Sequence, residues 1–458
     1  MSIRILTVYS LTFLSLIFVL FSEAEVISLS IDIVIPMVII NLLVLLILTY
    51  LEYSGKLGLF FFLLCTLCFF IFGRHISFLL TDNNIFYWDF YGGITFSQSD
   101  FVENTFIALL AINSIFLGFT LPNRFVSNDL SKIYISNSYI KFILVLTLIL
   151  YIPFFSKLLI SVANEGYVGM YITMQDAINN GDITFRIYSL SYTLLLVGCS
   201  MALVAQQKSL IYLSLGLLFI RAISLMLMGQ RAYFFCVILF LLFLFFRNNK
   251  VSFRHVILLF VLFLILIMLS GLILTFRSGG NFDFFIEHLV FSELIGDFFY
   301  SQGVTFFVFS LATEINNFPL LPTIQNFIPG SSFLYSLLFG SVEPTGQSYA
   351  HFLSETTNAG LYSKGFGLGW SFLGDLMLLS PFFYIVNLFI FGVLFGSFFR
   401  HIELKSESNQ FYLFILLSVA VPFLYLPRSG LNTIFPLMIY AVMIYVVIMC
   451  LFTRRKYE

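Results

Sequence analysis

Arg231 and Arg277 each stand at the edge of an apolar run, in Met228-Gly-Gln-Arg231-Ala-Tyr and Thr275-Phe-Arg277-Ser-Gly-Gly280. A guanidinium at a membrane rim must find water, a headgroup or an anionic partner, because an unpaired cation is costly in hydrocarbon. Its planar fork holds phosphate oxygens at two points, which lysine does less well. Gly or Ser beside each arginine lets a ligand or another backbone come close. Capture of a phosphate-bearing lipid headgroup is the chemistry that fits. In the bland alternative both side chains snorkel to the interface and only fix topology. Arg231 sits in a very short turn where positive charge is disfavoured, which argues for a functional role.

His351 lies four residues before Glu355 in Gly346-Gln-Ser-Tyr-Ala-His351-Phe-Leu-Ser-Glu355, so both share a face if the segment is helical. Near neutral pH a histidine can take a proton from a sugar hydroxyl, and a carboxylate can orient it. A histidine bonded to backbone at the interface is the plainer fate. Asp375 enters the apolar start of the next span, where an acid is expensive and usually paired. It would orient His351, or else form a salt bridge to Lys364 or an arginine. Arg74, His75 and Arg428 are second-tier candidates, while Arg221, inside a span, reads as a buried structural pair. No acids, histidines or cysteines repeat at metal-ligand spacing, so neither a metal nor a cofactor is expected. Cys65-x-x-Cys68 has no second pair and sits within an apolar span, against a redox or zinc role.

The elements that must position these groups are membrane helices. Hydrophobic residues make up 60% of the 458-residue chain and charged residues 10%, which excludes a soluble multi-domain protein. Twelve apolar runs, at roughly 5–21, 31–51, 57–80, 105–121, 140–160, 188–205, 209–227, 231–246, 255–276, 379–399, 410–427 and 431–452, suit transmembrane helices. They lack period-two alternation, so the expected fold is an all-α polytopic membrane protein and not a barrel. Lys and Arg set the orientation. With both termini inside, Lys56, Arg124, Lys208, Arg247, Arg254, Arg400 and Arg454 are among the many cytoplasmic cations. The other side keeps Arg74, Lys157, Arg186, Arg231, Arg277, Lys364 and Arg428, and most of the acids.

The chain thus divides into nine helices over 1–276, a large outer loop over 277–378, and three helices over 379–458. Aromatics at Phe282–Phe299 and Phe327–Phe339 suggest amphipathic helices lying at the interface. Gly365-x-Gly367-x-Gly369 follows no strand, so it is not a nucleotide fingerprint, and no nucleic-acid partner is expected. Gly392-x-x-x-Gly396 reads as a close helix-packing face. Ser22-Glu-Ala24 after the first run looks like a signal-peptide cleavage site, but an uncleaved first helix is the preferred reading.

The layout resembles the Wzy-type O-antigen polymerases, bacterial enzymes that polymerise oligosaccharide repeat units. The resemblance rests on the dozen spans, the late outer loop, the Gly-Gln-Arg231 turn and Gly367-x-Gly369-x-Ser371-x-x-x-Asp375. The family more often carries Glu where Asp375 stands. The resemblance implies a metal-independent, membrane-embedded glycosyltransferase of the C type, related to O-antigen ligases and acting on the periplasmic side of the inner membrane. Its donor would be an undecaprenyl-pyrophosphate-linked glycan, its acceptor a lipid-linked repeat unit, and a chain-length regulator a further partner. Arg231 and Arg277 would hold the pyrophosphate, and His351 would be the base. An O-antigen ligase and a flippase for the same lipid-linked unit are the competing readings, though the cytoplasmic half of the spans carries few of the buried charges a flippase needs.

Overall fold

The computed structural model describes residues 3–23, 29–81, 83–121, 135–227, 230–277, 282, 290–315, 317–340, 342–379 and 383–453. Lipid satisfies no backbone hydrogen bond, so a chain this apolar must close its own, and it does so as helices. In order these are α1 (Ile3–Glu23), α2 (Ile31–Glu52), α3 (Leu59–Phe70), α4 (Gly73–Phe78), α5 (Gln98–Thr120), α6 (Asn137–Glu165) and α7 (Tyr167–Asn179). Next come α8 (Ile183–Val204), α9 (Lys208–Leu227), α10 (Arg231–Phe246), α11 (Phe253–Arg277), α12 (Phe291–Gln302) and α13 (Val304–Glu314). The chain closes with α14 (Ser331–Phe339), α15 (Tyr349–Tyr362), α16 (Phe372–Leu378), α17 (Tyr384–Lys405), α18 (Gln410–Tyr425) and α19 (Phe435–Thr453). Among the described residues the only sheet is a two-residue antiparallel ladder, Tyr87–Trp88 on Ile94–Thr95.

Among the described residues ten helical stretches are long and apolar enough to cross a membrane, and 59–70, 231–246 and 431–447 are shorter apolar helices. The protein is an all-α, multi-pass membrane protein. Within the described residues each of the twelve expected runs is mostly helical, the third being split into α3 and α4. The added stretch is α12 with α13, inside the segment read as an outer loop. In this pair Phe298, Phe299, Phe306 and Phe307 are buried, while Val290 and Phe291 at its start are 48% and 47% exposed. Between the two helices Gly303 lies so close to α4 that a Cβ there would meet the Arg74 amide nitrogen at 2.4 Å. Asn83 donates to Asp297 at 2.9 Å, and Thr313 donates to Asn104 at 2.8 Å. Both halves are therefore tied to the 81–104 stretch, folding over one end of the bundle. Residues 283–289 lie outside the described residues. On α14 Phe333, Leu337, Leu338 and Phe339 are between 64% and 73% exposed.

The central helix is α5, buried on nearly every side. It starts with a capping box, Asp100 N–H donating to Ser97 Oγ at 3.1 Å and Ser97 N–H to the Asp100 carboxylate at 3.3 Å. Across it runs α17, and the Gly392/Gly396 face expected from the sequence is the contact. A Cβ on Gly396 would meet the Ile115 carbonyl at 1.9 Å, and one on Gly118 the Val393 carbonyl at 2.0 Å. At the bundle end opposite the loops, charges tie five helices together. Glu52 takes Arg4 at 3.1 Å and Arg400 at 2.9 Å. Glu403 accepts from the Tyr53 hydroxyl and from the Leu59 amide at 2.8 Å, and Arg247 donates to the Ser406 carbonyl at 3.1 Å.

Candidate active site

The loop end of the bundle holds a cavity of about 530 Å³ that gathers Arg74, Arg231 and Arg428. Three parts of the chain, far apart in sequence, deliver them. Arg231 is the first residue of α10, and its Nη1 donates to Ser270 Oγ on α11 at 2.9 Å, which holds the guanidinium against the neighbouring helix end. Arg428 ends the 3₁₀ turn after α18, donating to Gln302 Oε1 at 3.2 Å. Arg74, on α4, is sealed in the wall. Its guanidinium is sandwiched between the rings of Tyr300 and Phe307, 4.0 and 4.2 Å from their centroids, and Nη1 donates to the Tyr87 carbonyl at 2.6 Å. Arg74 Nε and Nη2 are buried without a hydrogen-bond partner among the described residues, a costly state that an anion or a water would relieve. Among the described lining residues Asp89 is the only acid, and it accepts from the Tyr87 hydroxyl at 3.1 Å.

The Arg277 side chain lies outside the described residues. Its helix ends at this site, since Leu274, one turn earlier on α11, lines the cavity.

A second cavity of about 360 Å³ shares a wall with the first, both touching Gln230, Val304, Phe366, Gly367, Leu368, Tyr425 and Arg428. His351 lines this second space. The segment is helical as expected, but the histidine's partner is neither carboxylate: Nδ1 shares a 3.1 Å hydrogen bond with the Tyr362 hydroxyl. That bond leaves Nε2 to act. Burial holds the imidazole below its usual pKa, favouring the neutral form that accepts a proton. Glu355, one turn on, is exposed.

The glycine run between the cavities explains its own composition. Gly365 and Gly369 have φ of +87° and +80°, which side chains resist, and the bend they make brings 366–368 into both walls. Ser354 Oγ accepts from the Leu368 amide at 3.0 Å, locking that bend to α15. Ser371 then caps α16, and Asp375 pins the corner. Its carboxylate accepts from Trp370 Nε1 at 2.9 Å and from the Leu431 amide at 2.6 Å, instead of from Lys364 or an arginine. Full burial pushes its pKa up to about 6. Asp375 lines neither cavity. His75 turns into the core, its ring among Phe72, Phe101 and Phe306 and its Nε2 bonded to Thr105 at 2.8 Å. Arg221, expected to be half of a buried ion pair, is instead ringed by Tyr151, Tyr188 and Tyr192 at 4.7–5.1 Å.

Sequence reasoning passed over Tyr300, Gln302 and Tyr362. No spacing marks them, because their roles arise from contacts between distant helices. Gln230 was visible only as the neighbour of Arg231.

A model of the family described as O-antigen polysaccharide polymerase Wzy matches residues 3–457 of the chain. Neither a curated protein nor a solved structure matches it.

Proposed function

Since the chain belongs to the O-antigen polysaccharide polymerase family Wzy, we propose that it lengthens a surface glycan at the loop end of the bundle, on the periplasmic face of the inner membrane. The donor is a glycan on undecaprenyl pyrophosphate, and the acceptor is the terminal sugar of the next lipid-linked repeat unit. An acceptor hydroxyl oxygen bonds to the donor's anomeric carbon, while the bond from that carbon to the pyrophosphate oxygen breaks. His351 Nε2 takes the hydroxyl proton, and undecaprenyl pyrophosphate leaves with the electron pair.

The observation that carries this reading is the gathering of Arg74, Arg231 and Arg428 around one cavity that adjoins the space lined by His351. Charge develops on the leaving pyrophosphate, and fixed guanidinium groups in a partly dry site stabilise it without reorganising. Arg231 and Arg428 contact the phosphates. Arg74, behind the wall, adds positive potential and holds Tyr300 in place. Arg277, the last residue of α11, is a further candidate for the phosphates. Tyr362 orients the base, and Asp375 shapes the corner without touching substrate. The loop over the cavities excludes water that would hydrolyse the donor. The family match favours a polymerase over a ligase or a flippase.

The test is Arg231→Lys and Arg428→Lys, which keep charge and lose the fork. Losing one charge-assisted bond of about 1.5–3 kcal/mol should cut chain growth by roughly ten- to a hundredfold at matched protein level. Wild-type glycan length in both variants would return these arginines to topology. In a deletion strain, core capped with single repeat units marks loss of a polymerase, whereas uncapped core with polymer still on lipid marks a ligase.

A further inference from the structure

His351 also lines a third cavity, on the side away from the arginines. It measures about 690 Å³ and is walled by α7 and the start of α8, by the stretch from Gln325 through α14, and by residues 342–351. We propose that this is the saccharide cleft of the acceptor, where the sugars of the incoming lipid-linked unit are recognised before transfer. The proposal rests on the polymerase reading for its direction, and on the cleft's own chemistry for its ligand class.

The lining is suited to sugar and poorly suited to anything strongly charged. Gln325, Gln347 and Ser336 supply neutral donors and acceptors, Phe185 and Phe333 supply ring faces, and Arg186 is the single cation. No carboxylate lines it among the described residues. Neutral amides and hydroxyls beside aromatic faces match a ligand whose edges are hydroxyl groups and whose faces are C–H. The Gln325 amide nitrogen is buried without a partner, a donor waiting for an acceptor. The volume is within the ~300–1,000 Å³ typical of small-ligand sites and admits more than one sugar ring.

The wall helix also explains how such a ligand would arrive. Ser332 and Ser336, one turn apart on α14, border the cleft, while Leu334, Leu337 and Leu338 on the opposite side stand 52–72% exposed. One side of α14 therefore suits lipid and the other suits the polar cavity. A polyprenyl chain can stay in the bilayer beside α14 while its sugars turn inward toward His351. The reacting hydroxyl then meets the base from this side, and the donor phosphates meet the arginines from the other.

The test uses the full-length protein in nanodiscs and the repeat-unit oligosaccharide released by mild acid from lipid extracts of a strain lacking the protein. Saturation-transfer NMR reads its binding without requiring turnover. The wild type and Arg231→Lys should bind equally. Gln325→Ala should bind about three- to tenfold more weakly, the worth of one neutral hydrogen bond. Ser332→Trp, which fills the cleft, should not bind. In elongation assays Gln325→Ala should raise the acceptor KM by the same factor and leave kcat in place. Absence of binding to the wild type overturns the cleft. So does an unchanged acceptor KM in both variants while chains still grow, a result that leaves the polymerase reading standing. Binding that Ser332→Trp abolishes, in a protein that grows no chains, supports the cleft and removes the polymerase reading instead.

Discussion

At the scale of the residue, the base role proposed for His351 rests on where it is buried. A general base must be unprotonated, and desolvation lowers the imidazole pKa from its usual 6.5. The neutral form therefore persists to more acidic pH than in an exposed histidine. The acid limb of kcat/KM should fall below pH 6.5, and a limb above it would assign the base elsewhere. His351→Ala should lower turnover by roughly a hundred- to ten-thousandfold, with a smaller effect on acceptor binding. Full polymerisation by the purified variant would turn attention to other groups. Asp375 responds in the opposite sense. Its pKa rises from 3.8 to about 6 on folding, so the folded chain holds a proton that the unfolded chain releases. The resulting stabilisation is complete below pH 3.8 and is lost as pH rises through about 6. At about 1.36 kcal/mol per pH unit, it amounts to about 3 kcal/mol. The gain in thermal midpoint from pH 7 to pH 4.5 should shrink in Asp375→Asn; an unchanged gain would mean that Asp375 does not titrate as its burial requires. The roles of these two residues were only half legible. Histidine and acid announce themselves by type, but Trp370 and Leu431, which hold Asp375, are set by a fold-back that no spacing encodes.

At the scale of the element, the crossing of α5 and α17 sets how closely everything else can approach. Gly396 has no room for a methyl group, since its Cβ would lie 1.9 Å from the Ile115 carbonyl. Backbone cannot give way as a side-chain tip can, so Gly396→Leu should cost at least about 1–3 kcal/mol by overpacking. The expected result is a lower thermal midpoint in detergent, with folded protein lost at growth temperature. A variant as stable as the wild type would show that the two helices are free to separate. This crossing could be read in advance, because small residues four apart in an apolar run have few other uses. The α12–α13 pair could not. Its aromatics fit an interfacial helix as well as a buried one, and Gly303, Gln302 and Asp297 depress its hydropathy. In the structure the pair buries Phe298 and Phe306 and leaves Phe291 at its start 47% exposed.

At the scale of the whole molecule, the charges divide as a membrane orientation demands. At the loop end Arg74, Arg186, Arg231 and Arg428 line the cavities and Lys157 pairs with Asp182, whereas Lys56, Lys250 and Arg254 at the opposite end line none of these cavities. Loop-end cations on a side that disfavours them are therefore a marker of function. With the loops outside, a cysteine replacing Glu343 should react with impermeant maleimide in intact spheroplasts, and one replacing Lys250 only after lysis; both side chains are exposed. The reverse pattern would invert the molecule and remove the proposed chemistry from the periplasm. Hydropathy and charge sufficed for this level, because lipid allows so few solutions. The gathering of Arg74 with Arg231 and Arg428 lay beyond them, since it joins α4, α10 and the end of α18 in space alone.

The ionic knot of Arg4, Glu52, Arg400, Glu403 and Arg247 makes the two ends of the bundle mechanically unequal. Like stems bound at the base of a bouquet, the helices are cinched by charge at the end opposite the cavities, while neutral and charge-assisted hydrogen bonds such as Asn83–Asp297, Thr313–Asn104 and Arg428–Gln302 hold the loop end. A product that lengthens with each round would place an ever larger load on a machine that had to open throughout. On the proposed function the growing chain would hang in solvent beyond the loop end, so the effort of one cycle would not depend on how many came before.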